Sequence, residues 1–142
     1  MEILLVDDDL EDADLAIEAL TGSCLACRVS LVRDGEEALR FLRREDGFSN
    51  APMPDLILLD MQMPKKDGLD VLREIQKDNQ AKAIPVIVMT ASRVHRVILE
   101  AEQLPVVGYL TKPVRAEQVI AVVNSLRYAC QVKLEERNHE KG

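Results

Sequence analysis

The stretch Asp55-Leu56-Ile57-Leu58-Leu59-Asp60 constrains this chain more than any other. Four consecutive aliphatic residues run straight into a carboxylate. A short apolar run bounded by turn signals reads as a strand buried on both faces of a parallel sheet. Such a strand gains nothing from ending on Asp. The C-terminal end of a strand is where open α/β sheets place their ligands, so Asp60 is the first candidate site residue.

The same arrangement recurs along the chain. Ile3-Leu4-Leu5-Val6 leads into Asp7-Asp8-Asp9. Val86-Ile87-Val88-Met89, opened by Pro85, ends at Thr90. Val106-Val107-Gly108-Tyr109-Leu110 leads through Thr111 to Lys112. Val29 and Leu31-Val32 give a weaker strand, expected near a sheet edge. Helical spacing appears between these runs. Leu10, Ala13, Ile17 and Leu20 mark a first helix, capped by Asp9, with Asp12 favoured in its first turn and Gly22 suited to its end. Asp34 and Glu37 resemble a capping box ahead of Ala38, Leu39 and Leu42. Residues 46–54 read as a loop. Asp67 can cap a helix bearing Leu69, Leu72 and Ile75. Val94, Val97, Ile98 and Ala101 mark a fourth helix, and Val119, Val122, Val123 and Leu126 a fifth. Five strands alternate with five helices, which predicts an α/β fold: a doubly wound five-stranded parallel sheet with helices on both faces.

Length and charge narrow the function classes. A chain of 142 residues suits one core, expected over residues 1–128. Residues 129–142 read as a charged helical extension or tail, with no output domain. The net charge of −7 argues against nucleic acid as a direct partner, because phosphate binding needs a basic face. No apolar run is long enough for a membrane span and no signal peptide is evident, so a cytoplasmic location is expected. Cys24 and Cys27 form a lone C-x-x-C after a helix rather than at a helix start. They read as small, half-buried residues in a turn, with no redox or metal role.

The polar strand ends carry the chemistry. Asp7, Asp8, Asp60, Thr90 and Lys112 all fall at one predicted sheet edge. Gathered carboxylates repel one another unless a cation neutralises them. Hard oxygen donors without His or Cys favour Mg²⁺. A carboxylate can act as a nucleophile and form an aspartyl-phosphate. A metal ion and Lys112 would stabilise the oxygens of the transferring group, and Thr90 would donate a hydroxyl hydrogen bond to it. Each residue alone has a plainer reading: Asp9 as a helix cap, Asp60 as a turn residue, Thr90 as a strand residue, Lys112 as a solvated charge, Tyr109 as packing. The plain readings do not explain why all of them lie on one edge.

V-D-D near the N-terminus, L-L-D-M-Q-M-P-K-K-D-G, V-M-T-A-S and G-Y-L-T-K-P together resemble the receiver domain of two-component response regulators, over residues 2 to about 128. P-K-K-D-G and the long loop before the third strand look most like stand-alone regulators paired with bacterial phytochrome-type histidine kinases. The resemblance implies a flavodoxin-like strand order 2-1-3-4-5. It makes Asp60 the phosphoacceptor and Asp7 and Asp8 the acid pair. It implies Mg²⁺ held by Asp8, Asp60 and the Gln62 backbone carbonyl, with Asp7 acting through water. It makes Thr90 and Lys112 the phosphoryl contacts, Tyr109 the aromatic switch and Lys112-Pro113 a cis peptide. Arg115 departs from the small polar cap usual for the last helix.

The function so implied is a single-domain response regulator. It would take its phosphoryl group from a histidine kinase and signal through a conformational switch and protein–protein contact. It would catalyse only its own phosphorylation and dephosphorylation. A homodimer through the face of the fourth helix, fifth strand and fifth helix is a further expectation, although the apolar residues there also suit a core. The alternatives are a phosphorelay intermediate or a Mg²⁺-dependent aspartyl-phosphate phosphatase. The phosphatase would need an acid two residues after the nucleophile, where this chain has Gln62. A nucleotide- or flavin-binding module would need a Gly-rich loop after the first strand, where acids stand instead.

Overall fold

A computed structural model describes residues 1–23, 27–63, 67–112, 115, 117–122 and 124–125. Five strands, β1 (Glu2–Val6), β2 (Arg28–Val32), β3 (Leu56–Asp60), β4 (Val86–Thr90) and β5 (Gly108–Thr111), form one parallel sheet in the order β2-β1-β3-β4-β5. Four helices, α1 (Leu10–Ser23), α2 (Gly35–Arg43), α3 (Gly68–Lys77) and α4 (Arg93–Ala101), connect them. Residues 117–122 and 124–125 are helical and belong to α5. The strand order and parallel pairing are those expected.

Period-two alternation along the strands sorts the core into two layers. Leu4, Val6, Ile57, Leu59, Val86 and Val88 point to one face, where Leu39 and Leu42 of α2, Val71, Leu72 and Ile75 of α3, and Leu99 of α4 meet them. Ile3, Leu5, Leu56, Leu58, Ile87, Met89 and Leu110 point to the other, against Ala13, Ala16 and Leu20 of α1 and Val119 of α5. The central strands β3 and β4 are buried at every position, which is why their sequences are unbroken apolar runs rather than alternating ones. The edge strand β2 is exposed at Arg28 and fully buried only at Val32, which accounts for its weak signal.

Local chemistry fixes the helix starts. Asp9 Oδ1 accepts from the backbone N–H of Glu11 at 3.0 Å and of Asp12 at 3.3 Å. Asp34 accepts from Glu37 N–H at 2.8 Å and Asp67 from Asp70 N–H at 2.9 Å. Ser92 caps α4 through Val94 N–H at 3.2 Å. Each satisfies an otherwise orphaned donor of a first helical turn. At α5, the Arg115 carbonyl accepts from Gln118 and Val119 N–H, and Gln118 Oε1 reaches back to Arg115 N–H at 3.4 Å. The helix thus starts without a capping hydroxyl or carboxylate on Arg115 itself.

Several expectations need adjustment. α1 runs through Gly22 to Ser23, because Gly22 is tolerated inside a final turn and does not take the left-handed conformation that would end it. A 3-10 turn over Ala81–Ala83 has no counterpart in the sequence reading; Asp78 nucleates it by accepting from Gln80 and Ala81 N–H. β5 begins at Gly108 rather than Val106, although Val107 N–H already donates to the Val86 carbonyl at 2.9 Å. Cys27 is half-buried as expected but is disulfide-bonded rather than a free thiol; pairing depends on where the chain brings two sulfurs, which spacing alone does not fix. The other cysteines, Cys24 and Cys130, lie outside the described residues. So do Pro64-Lys65-Lys66, Pro113 with its expected cis bond, and the tail 129–142.

Candidate functional site

Parallel pairing puts every strand's C-terminal end on the same rim. β1 delivers Asp7, whose N–H extends the ladder to the Val32 carbonyl at 3.1 Å. β3 ends in Asp60, β4 in Thr90, and Lys112 follows β5, its N–H bonded to the Thr90 carbonyl at 3.0 Å. All five predicted rim residues are therefore brought to one edge. Asp7, Asp60 and Thr90 are the buried polar or charged residues of the described structure, at 1%, 1% and 8% exposure. Asp8 is exposed.

The acids converge. One carboxylate oxygen from each of Asp7, Asp8 and Asp60 lies within 4.8 Å of the others. Lys112 Nζ sits over them, 2.9 Å from Asp60 Oδ2, 3.6 Å from Asp12 Oδ2 and 4.0 Å from Asp7 Oδ1. Burial lowers the Lys112 pKa, but the hydrogen bond and charge of Asp60 and the charges of Asp7 and Asp12 outweigh it, holding the ammonium above its ordinary value. Burial pushes the Asp7 carboxyl up to about 7 against the Asp9 N–H and Lys112, with Asp60 adding to the rise. One lysine does not neutralise three gathered acids.

The donor set fits a hard divalent cation. Asp60 Oδ1 is held by the Gln62 N–H at 3.0 Å. Asp60 Oδ2 is fully buried, with the Lys112 ammonium 2.9 Å away. A buried carboxylate beside two further carboxylates, with one ammonium among them and no His or Cys in the cluster, matches oxygen-ligated Mg²⁺ or Mn²⁺ rather than zinc. The Gln62 side chain is exposed.

Thr90 and Tyr109 face α4. The Thr90 hydroxyl accepts from Ser92 N–H at 3.0 Å and shares a hydrogen bond with His95 Nδ1 at 2.5 Å. The half-buried Tyr109 ring packs against the α2/α3 core layer and lies under the Arg96 guanidinium, 4.7 Å from the ring centroid. A cleft of about 590 Å³ opens here, lined by Thr90, Arg93, Arg96, Val97 and Tyr109 among others.

Three participants escaped the sequence reading. Asp12 suits the helix dipole in sequence, yet from the first turn of α1 its carboxylate also reaches Lys112. His95 and Arg96 carried no motif. Only the Ser92 cap, which turns the chain back over Thr90, gives a local signal for them.

Residues 3–124 match the family model described as the response regulator receiver domain. The response regulator Rcp1 of Synechocystis is 38% identical over 124 residues, covering 87% of this chain and 84% of that protein. Among solved structures, the phosphorylated cyanobacterial phytochrome response regulator RcpA superposes with a TM-score of 0.76 at 42% identity, covering 88% of this chain and 89% of that one. The Mn²⁺-bound form of Rcp1 superposes with a TM-score of 0.75 at 38% identity, covering 88% and 90%.

Proposed function

This chain belongs to the response regulator receiver domain family, and on that premise we propose that it is phosphorylated on Asp60 by a histidine kinase. The observation that carries the assignment is the Lys112 ammonium 2.9 Å from a buried carboxylate oxygen of Asp60, beside the acid cluster. In the step proposed, an Asp60 oxygen attacks phosphorus of a phosphohistidine. The O–P bond forms as the P–N bond breaks, and the imidazole nitrogen keeps the bonding pair. Asp8, Asp60 and the Gln62 carbonyl, with Asp7 through water, would hold Mg²⁺. The ion would spread the charge of the transferring oxygens. Lys112 takes up the phosphoryl oxygens as the ion pair with Asp60 is surrendered, and Thr90 supplies a hydroxyl donor.

The phosphoryl adds about −1.5 to −2 charge and three acceptor oxygens. Two charge-assisted hydrogen bonds at ~1.5–3 kcal/mol each approach the ~5.5 kcal/mol that carries a two-state equilibrium from 1:99 to 99:1. They suffice only where the unphosphorylated state lacks them, so Thr90 must move and Tyr109 must rotate with it. Gln62 stands where a phosphatase would need its general acid, which leaves self-dephosphorylation as the turnover. The similarity to phytochrome response regulators supports a phytochrome-type kinase as partner. The Mn²⁺-bound relative supports a divalent ion at this cluster. Among the described residues no helix is long and apolar enough to cross a membrane, and we read the chain as cytoplasmic. Val94, Val97 and Val107, all more than half exposed, support readout through the α4/β5/α5 face, including a homodimer. Residues 1–128 form the receiver unit in this reading.

Incubation with acetyl phosphate and Mg²⁺, followed by intact-mass measurement, tests the proposal. The wild-type chain gains one phosphoryl group, and Asp60→Asn or omission of Mg²⁺ abolishes the gain. Equal incorporation into Asp60→Asn refutes it.

A further inference from the structure

The Thr90 hydroxyl has one proton, and its strongest contact is away from the acid cluster. His95 Nδ1 is 2.5 Å from Thr90 Oγ1, and the remaining acceptor on that side, the Ser92 carbonyl, is at 3.3 Å. If Nδ1 is unprotonated, the hydroxyl donates to it. If Nδ1 carries the proton, the imidazole donates to Oγ1 and the hydroxyl turns to Ser92. Either way the hydroxyl is engaged with the first turn of α4 rather than with Asp60. The next residue grips the other moving part: Arg96 lies over Tyr109 and is tethered to Glu100 at 3.4 Å.

We propose that His95 is a positioning residue that brakes the switch, holding the Thr90 hydroxyl on α4 until a phosphoryl group on Asp60 outcompetes it. The inference rests on the reading of Asp60 as acceptor and Thr90 as its hydroxyl partner. The brake sets how much of the binding energy of the phosphoryl group is used to release Thr90. Removing it should make phosphoryl mimicry easier, while a side chain that restores the hydrogen bond should restore the brake. Asn fits that role, since its amide oxygen stands about where Nδ1 does.

Beryllofluoride with Mg²⁺, titrated against the full chain and followed by ¹⁹F NMR, measures this directly. His95→Leu is expected to bind about 2- to 10-fold more tightly than wild type, the range for one net hydrogen bond. His95→Asn is expected to match wild type, and His95→Leu is expected to have no effect once Thr90→Val has removed the hydroxyl. Unchanged or weaker binding by His95→Leu, or the same gain in the Thr90→Val background, overturns the inference. A wild-type chain that binds no beryllofluoride overturns the acceptor reading, and this inference with it. Wild-type binding without a His95 effect overturns this inference alone. Should His95→Leu fail to fold, the imidazole ¹⁵N spectrum of the wild type decides. Its Nδ1 resonance must move when beryllofluoride is added, and a stationary resonance overturns the brake.

Discussion

A Cβ added to Gly68 would stand 2.6 Å from the carbonyl oxygen of Asp60, and 2.7 and 2.9 Å from the Cα and Sδ of Met61. Helix α3 therefore starts in direct contact with the backbone of the strand end that presents the acceptor. The Gly68 N–H bonds the Met61 carbonyl at 3.3 Å across the same junction.

Gly68→Ala should destabilise the protein by about 1–3 kcal/mol, the range for forcing atoms into a packed site. Alanine's better helix propensity, at most ~1 kcal/mol here, does not offset a collision with backbone that cannot turn aside. Urea unfolding followed by circular dichroism measures it. An unchanged midpoint would show that α3 and the Asp60 strand end are not locked together.

Asp7 gives the metal-free protein a pH dependence. Its folded pKa of about 7 lies above the ordinary 3.8, so the folded state binds more protons than the unfolded state between those values. That contribution is full below pH 3.8 and is lost as pH rises through 7. At 1.36 kcal/mol per pH unit it amounts to at most on the order of 4 kcal/mol. In EDTA, wild type should lose stability between pH 5 and pH 8 relative to Asp7→Asn, and divalent metal should remove the difference. Parallel curves for the two proteins would contradict the assignment.

Lys112→Ala removes the cation from three carboxylates, those of Asp7, Asp12 and Asp60, two of which, Asp7 and Asp60, are 1% exposed. Breaking a buried ion pair from one side costs about 3–5 kcal/mol. The metal-free variant should melt well below wild type, and Mg²⁺ should raise its Tm by more than it raises that of wild type, because the ion then replaces the charge that Lys112 supplied. Equal Mg²⁺ shifts in the two proteins would show that Lys112 and the cation do not share one anionic site.

Most of the fold was legible because burial on two faces leaves a plain trace. Leu56–Leu59 and Val86–Met89 are apolar at every position, and the polar residue that ends each run marks the rim. The rim residues Asp7, Asp8, Asp60, Thr90 and Lys112 followed from that logic. What the sequence hid depends on how elements sit across space. Asp12 and His95 are ordinary helix residues until α1 and α4 lie over the strand ends. The turn at Ala81–Ala83 has no apolar period to announce it, and the weak start of β5 reflects Val106 and Val107 being apolar without a full ladder of hydrogen bonds.

The central claim is that one carboxylate, Asp60, carries the phosphoryl group. Borohydride reduction of the phosphorylated chain, which converts an aspartyl-phosphate to homoserine, followed by peptide sequencing, locates it. The account predicts homoserine at position 60 and nowhere else, dependent on Mg²⁺. Homoserine at Asp7, Asp8 or Asp12, or a phosphorylated chain in which position 60 remains aspartate, would contradict it.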